Sequence, residues 1–341
     1  MKLVRKILFP IVPIYYAVTW LRNKAYDEGI FNSKSYELPL ITVGNLSVGG
    51  TGKSPMIEYL IKILQDHYKI ATLSRGYKRN TTGFILANEK SSALSLGDEP
   101  FQFYQKFKDV IVSVDANRQN GIAELENLAE PPEVILLDDA FQHRKVNANF
   151  NILLTTYSKL YVDDFVLPTG DLREPKIGAK RANIIIVTKC PPTISIQEQE
   201  TIIKKIKPLS HQDVFFSSIK YSDKVYSLDS DISLSKLKVN EFTLVTGIAN
   251  PKPLIDFLNS EGFSFEHLRF KDHHEFSVNE ISILKSKSFI LTTEKDFMRL
   301  KDKMNSDILY YLPIETKMFQ EEEFNKCIKD YVISKTSKTL G

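Results

Sequence analysis

The sequence predicts an α/β protein: a doubly wound parallel-sheet domain and a second, smaller α/β domain, joined by a β-hairpin linker. Three observations carry this expectation. From Pro39 onward, short unbroken apolar runs alternate with helical patterns, as parallel strands covered on both faces do. A glycine-rich octet, Ser47-Val-Gly-Gly-Thr-Gly-Lys-Ser54, lies between the first such run and the first helical pattern. Near residue 214 the alternation breaks, and it restarts near residue 242.

Residues 1–28 read as an N-terminal membrane-associated helix. Ile7 to Leu21 carries no charge and is apolar except for Thr19; Lys2, Arg5 and Lys6 precede it, and Arg22 and Lys24 follow. The run is shorter than the roughly 20 apolar residues of a membrane span. Tyr15, Tyr16 and Trp20 suit a headgroup layer, and the flanking cations suit anionic lipid. A helix buried against the domain, a true span and a signal peptide with a poor cleavage site at Ala17-Val-Thr19 are the competing readings.

The core domain is expected over residues 29–213. Its strands are Leu40–Val43, Ile70–Leu73, Val110–Val114, Val134–Leu137, Asn151–Leu154 and Ile184–Val187, with helices such as Pro55–Leu64 and Asn117–Leu128 between them. Residues 214–240 are expected to be a two-stranded linker whose arms are Val214–Tyr221 and Lys224–Leu228. A smaller α/β domain over 241–341 would take Phe242–Val245, Pro253–Leu258, Phe265–Phe270, Phe289–Leu291 and a helix near Glu321–Val332.

The length of 341 residues accommodates two domains. The 43% hydrophobic and 26% charged composition is that of a folded globular protein. With 45 basic against 42 acidic side chains, and no basic stripe with interleaved aromatics, nucleic acid is not an expected partner. Cys190 and Cys327 form no CxxC or Cys/His cluster, which excludes a disulfide framework and a structural zinc and fits a reducing cytosol.

The octet is a phosphate-binding loop. Backbone N–H groups at a helix N-terminus wrap phosphate, and glycines let them approach. Ser47, Val48, Gly49, Gly50, Thr51, Gly52, Lys53 and Ser54 are the expected ATP-binding residues, with Lys53 on the phosphates and the Ser54 hydroxyl on Mg2+. The G-x-x-x-x-G-K-[ST] pattern would place glycine at position 47, where this chain has Ser47. Asp138 and Asp139, at the end of Val134–Leu137, match the carboxylate that helps hold the metal in P-loop NTPases. Thr188-Lys-Cys-Pro191 lacks the aspartate of a guanine-recognition element, and Val48 replaces the second-position lysine of partner-switching ATPases. A small-molecule P-loop kinase is the leading class.

Seven motifs, in order along nearly the whole chain, resemble the tetraacyldisaccharide 4′-kinase family: Val43-Gly-Asn-Leu-Ser-Val-Gly-Gly-Thr-Gly-Lys-Ser-Pro55, Leu73-Ser-Arg-Gly-Tyr77, Gly97-Asp-Glu-Pro100, Leu137-Asp-Asp-Ala-Phe-Gln-His143, Leu172-Arg-Glu-Pro175, Asp272-His273 and Thr292-Thr-Glu-Lys-Asp296. Ser54 stands where threonine is common, and Ala140 where glycine is common. The resemblance implies a P-loop NTPase-like fold and transfer of the ATP γ-phosphoryl to the 4′-hydroxyl of an acylated glucosamine disaccharide 1-phosphate, giving lipid IVA. It also implies a peripheral or monotopic monomer at the cytoplasmic face of the inner membrane.

By the same resemblance, Asp98 is the expected base, acting with His273; His274 is the adjacent rival. Ser54 and Asp138, completed by Glu99 or Asp139, are the metal candidates. Arg118 and Arg173 are expected at the substrate, with Gln142, His143 and Tyr77 as weaker sugar contacts. Glu294 and Asp296 read as helix-capping residues after Thr292-Thr293, and Gly247-Ile-Ala249 as a possible wall of the nucleotide cleft. The alternatives are a soluble P-loop kinase or ATPase acting on another polar small molecule, and a nucleotide-gated assembly protein, for which Val48 offers no partner-contacting residue.

Overall fold

The computed structural model describes residues 8–239, 241–272 and 274–339. The larger of its two main sheets takes β1 (Leu40–Asn45), β2 (Ile70–Ser74), β3 (Ile85–Leu86), β4 (Ile111–Val114), β5 (Val134–Asp138), β6 (Phe150–Thr156), β7 (Ile184–Thr188) and β8 (Asp213–Tyr221). The smaller takes β9 (Lys224–Tyr226), β10 (Asp231–Ser233), β11 (Phe242–Thr246), β12 (Phe265–Arg269), β13 (Ile290–Thr293) and β14 (Leu309–Leu312). The chain then returns to the larger sheet as β15 (Ile314–Met318).

The larger sheet runs β15-β8-β7-β6-β1-β5-β2-β4-β3, parallel throughout except for its two edge strands, β15 and β3. β1 lies between β5 and β6, and every residue of β1 and β5 is buried. Strand order reverses about β1, which puts a ligand crevice beyond the carboxyl ends of these central strands. The helix that follows β1, α1 being the N-terminal helix (Val12–Asp27), is α2 (Lys53–Leu64). It buries Met56, Ile57, Leu60, Ile61 and Leu64 completely against β1, β5 and β6. Each such side chain contributes about 1.5–3 kcal/mol of burial free energy, which anchors the loop at its N-terminus.

The remaining helices are α3 (Ala93–Leu96), α4 (Asp98–Lys106), α5 (Arg118–Glu126), α6 (Ile196–Ile206), α7 (Lys252–Ser260), α8 (Val278–Lys285), α9 (Glu294–Leu300) and α10 (Glu321–Thr339). The doubly wound core and the second α/β lobe are as expected, but the linker differs. Val214–Tyr221 is not an arm of a hairpin with Lys224–Leu228. It belongs to β8, which pairs with β7 on one edge and β15 on the other, so neither edge is left for β9. β9 pairs with β10 and β14 in the smaller sheet. Nor does 241–341 form one unit. β15 closes the larger sheet, and α10 buries Phe324, Ile328 and Val332 beside Phe215 and Met318 of that sheet.

α1 lies on the surface of the first lobe. Val12 and Tyr15 pack against the cluster of Leu46, Phe141 and Leu172. Ile14 and Val18, 65% and 61% exposed, face outward with Phe9, Ile11, Tyr16 and Leu21, so the helix is not buried against the domain. Among the described residues, no helix is long and apolar enough to cross a membrane.

Candidate active site

The phosphate loop opens directly from buried β1. Gly49 (φ 115°) and Gly52 (φ 92°) take left-handed backbone that a side chain would strain. Ser47 does not, which explains why the consensus glycine is dispensable there. Ser47 instead bridges Leu172, and the Val48 N–H donates to the Asp171 carbonyl at 2.7 Å, so the Leu172-Arg-Glu-Pro segment braces the loop. Asn45 Nδ2 donates to Thr51 Oγ1 (2.8 Å), and Thr188 Oγ1 to the Thr51 carbonyl (2.8 Å). Lys189, itself in left-handed backbone (φ 58°), donates from Nζ to the Gly50 carbonyl at 2.6 Å. Burial, then the charges of Lys295 and Lys53, push the Lys189 pKa below the usual lysine value.

Asp138 ends β5 facing this loop. Its carboxyl is pushed up to about 6, first by burial and then by the Asp139 charge, against the pull of Lys53; Glu99 adds to the rise and Arg118 opposes it. Ser74 Oγ donates to Oδ2 at 3.3 Å, while Oδ1 is buried with no hydrogen-bond partner. A buried carboxylate oxygen without a hydrogen-bond partner suits a hard cation, and Ser54, also buried, offers a hydroxyl at the start of α2. Among the described residues, no group of three or more His, Cys, Asp or Glu could hold a metal. A P-loop magnesium site needs none, because phosphates and water complete the shell.

Asp139, with φ 47°, turns toward cations: Lys53 Nζ lies 3.7 Å from Oδ1, and Arg173 Nη1 lies 3.0 and 3.1 Å from its two oxygens. Arg173 also reaches Gln142 Oε1 at 3.4 Å. Gln142 Nε2 donates to the Asn45 carbonyl (2.8 Å) and to Glu174 (3.0 Å). The Tyr15 hydroxyl donates to the Arg173 carbonyl at 2.9 Å, which ties α1 to this arginine. His143 is held down to about 4 by burial and by Arg118, Arg75, Arg22 and Lys145.

Arg118 is 1% exposed, and its guanidinium donates to the carbonyls of Asp115 (2.5 Å) and Asp138 (3.3 Å). In this arrangement the side chain fixes the end of β5. Tyr77 is exposed, and its carbonyl would lie 3.0 Å from a Cβ on Gly97 (φ 94°), so the Leu73–Tyr77 segment packs on the turn before α4.

Asp98 and Glu99 open α4, where the helix dipole favours carboxylates. α9 of the second lobe lies against them. Lys295 Nζ is 2.6 Å from Glu99, and Arg299 Nη2 is 2.5 Å from Asp98. Burial acts to raise the Glu99 pKa, but the Lys295 charge and hydrogen bond outweigh it and leave the group below the usual carboxylate value. Asp296, fully buried, accepts from the Gly247 N–H (2.8 Å), the Thr293 hydroxyl (2.7 Å) and Arg299 (3.0 Å). A third cross-lobe contact is Lys106, 2.6 Å from Glu58 on α2 and 3.3 Å from Glu294 on α9. His273 lies outside the described residues. His274 stacks on Phe270 and pairs with Glu280 at 3.0 Å, at the start of α8.

The residues missed from sequence are Lys189, Lys295 and Arg299. Two sat within motifs already noted, Thr188-Lys189 and Thr292–Asp296, but their partners lie far away in the chain.

Comparison with known proteins agrees with this geometry. A model of the LpxK family, tetraacyldisaccharide-1-P 4′-kinase, matches residues 4–333. The chain is 52% identical over 336 residues to a tetraacyldisaccharide 4′-kinase of Flavobacterium johnsoniae, covering 97% of this chain and 98% of that one. It is 42% identical to the same-named protein of Phocaeicola vulgatus, covering 96% and 95%. Its fold is similar to that of LpxK from Aquifex aeolicus crystallised with ATP, with a TM-score of 0.78 at 29% identity, covering 96% and 99%. A phosphate loop, a buried strand-end carboxylate and a family match across both lobes lead to one assignment: the chain belongs to the tetraacyldisaccharide 4′-kinase family.

Proposed function

We propose that this protein transfers the γ-phosphoryl of ATP to the 4′-hydroxyl of tetraacyldisaccharide 1-phosphate, forming lipid IVA. The observation that carries this reading is the phosphate loop with its carboxylates and cations: Asp138 pairs in register with Val43 on the strand leading into the loop, Lys53 lies 3.7 Å from Asp139, and Lys189 reaches the Gly50 carbonyl at 2.6 Å. The charges of Lys53 and Glu99 acting on Asp138, and of Lys53 and Lys295 acting on Lys189, support placing α4 and α9 at the same site.

In that site, the loop amides and Lys53 hold the β and γ phosphates. Ser54, Asp138 and Glu99, with Asp139 adjacent, would hold Mg2+, which when bound neutralises charge on the phosphate oxygens. Asp98 accepts the proton of the 4′-hydroxyl as its oxygen bonds to the γ-phosphorus; the bond to the bridging oxygen breaks and ADP leaves. His273 is proposed to act with Asp98. Arg173, with Gln142 and Tyr77, is proposed to meet the acylated disaccharide and its 1-phosphate. Asp139 already occupies the Arg173 guanidinium, so a substrate phosphate would share that cation or displace the carboxylate.

The exposed apolar face of α1, and its bond from Tyr15 to Arg173, support attachment to a lipid surface; the proposal is a monomer held peripherally or monotopically at the cytoplasmic face of the inner membrane. Ile14→Asp with Val18→Asp, which removes apolar contact and adds charge that anionic lipid repels, is expected to abolish binding to anionic phospholipid vesicles; unchanged sedimentation with vesicles would contradict the anchor.

The activity is tested with γ-32P-labelled ATP, Mg2+ and tetraacyldisaccharide 1-phosphate in detergent. Label should move to the lipid. Release of label only as inorganic phosphate would identify an ATPase acting elsewhere.

A further inference from the structure

The Thr292–Asp296 motif has a role beyond capping. We propose that Lys295 is a cation exchanged within the nucleotide site: it holds the Glu99 carboxylate while no divalent ion is bound, then yields that carboxylate and turns to the ATP phosphates. This rests on the Mg-ATP reading above and adds a second-lobe residue to it.

The geometry fits an exchangeable side chain on a fixed mount. α9 is anchored along its length: Phe297, Met298 and Leu300 are buried, Asp296 accepts three hydrogen bonds, Glu294 meets Lys106, and Arg299 meets Asp98. Lys295 points out of this mount. Its side chain is one-third exposed, and among the described residues its ion-pair partner is Glu99, at 2.6 Å. Its stem carries four rotatable carbons, so the ammonium can swing without moving the helix.

The destination is also on the page. Glu99 is one of the carboxylates proposed above to hold Mg2+, so an ammonium 2.6 Å from it stands within a lysine stem's reach of the phosphates that the ion would bind. Lys189 Nζ donates to the Gly50 carbonyl of the phosphate loop at 2.6 Å. On that reading Lys53, Lys189 and Lys295 gather three ammonium groups around one phosphate site. Such crowding is unfavourable alone and favourable around a polyphosphate. A divalent ion that claims Glu99 removes the partner of Lys295 at the moment a polyanion arrives beside it.

The test uses the full-length protein and two binding measurements. Mn2+ binding without nucleotide is followed by electron paramagnetic resonance. ATP binding is followed by calorimetry, with Mg2+ and with EDTA. In K295M, Mn2+ should bind about tenfold tighter because its competitor is gone, and Mg-ATP about tenfold weaker because a charged phosphate contact is lost. A purely structural lysine would weaken both. K295R, which keeps the ion pair, should bind Mn2+ as the wild type does. E99Q covers the case of a K295M variant that does not fold: it should lose Mn2+ affinity and bind metal-free ATP severalfold tighter, because Lys295 is released. Unchanged or weaker Mn2+ binding by K295M, or unchanged metal-free ATP binding by E99Q, overturns the proposal. Failure of the wild type to bind ATP at all would instead overturn the nucleotide-site reading beneath it.

Discussion

The phosphate loop and α9, which the proposed function brings to one site, are built by different rules. The loop is contiguous: eight residues, two left-handed glycines and a buried helix behind them. Its chemistry follows from local backbone demands, and only a few residue types meet them. The α9 side consists of contacts between residues far apart in sequence. Lys295 meets Glu99 across 196 positions, and Arg299 meets Asp98 across 201. Arg299 carries no local mark, and Lys295 has only its place in Thr292–Asp296, which does not name its partner. The site is therefore half written in a motif and half written in how two lobes pack.

The largest effects should fall on the loop and on α4. Lys53→Ala is expected to lower kcat by about 10³-fold, the scale for removing a charge-stabilising donor. A loss below tenfold would remove Lys53 from the transferring phosphate. Asp98→Ala should lower kcat by about 10²-fold or more while calorimetry still detects ATP binding; activity near that of the wild type would end its role as base.

Stability provides the next comparison. Leu60 on α2 and Leu300 on α9 are both fully buried. If both helices are rigid mounts, Leu60→Ala and Leu300→Ala should each cost about 2–5 kcal/mol in denaturant unfolding. A Leu300→Ala cost near zero would mean that α9 is loosely held.

The smallest effect concerns the link between the two regions. Glu58 on α2 is buried and accepts from Gln102 (2.8 Å) and Lys106 (2.6 Å). Burial first, and then the Glu294 charge, push it up to about 7, from 4.5 in an unperturbed chain. Lys106 is held above the usual lysine value despite its burial, because two carboxylates face it. One ammonium cannot balance both, so the more buried carboxylate keeps its proton longest. A raised carboxyl pKa means that the folded state favours the protonated form. The contribution is fully present below about pH 4.5 and is lost as pH rises through about 7, by on the order of 3 kcal/mol. Glu58→Gln should remove this decline, so its thermal stability relative to wild type should improve from pH 4.5 to 7. Parallel profiles would contradict the assignment.

Much of the core could be read from the sequence, because buried parallel strands announce themselves as short apolar runs. β2, β4, β5 and β7 lie within a residue of their expected bounds. Thr293 caps α9 through the Asp296 N–H at 3.3 Å, as the Thr292-Thr293 start suggested. The linker was misread because two polar-punctuated β-type runs satisfy a hairpin pattern whoever their partners are. The true partners of β8 sit at 184–187 and 314–318, too distant for any local pattern to reveal. The burial of Arg118 against two carbonyls was equally out of reach, because Asp138, one of the two, lies 20 positions away.

The central claim is that the two lobes together phosphorylate one hydroxyl of an acylated disaccharide. Phosphorus–proton correlation NMR of the reaction product tests it most directly. A second phosphate coupled to the proton at the 4′ carbon, beside the original 1-phosphate, is the predicted result. A product phosphorylated at another position, or recovered substrate with ATP consumed, would contradict it.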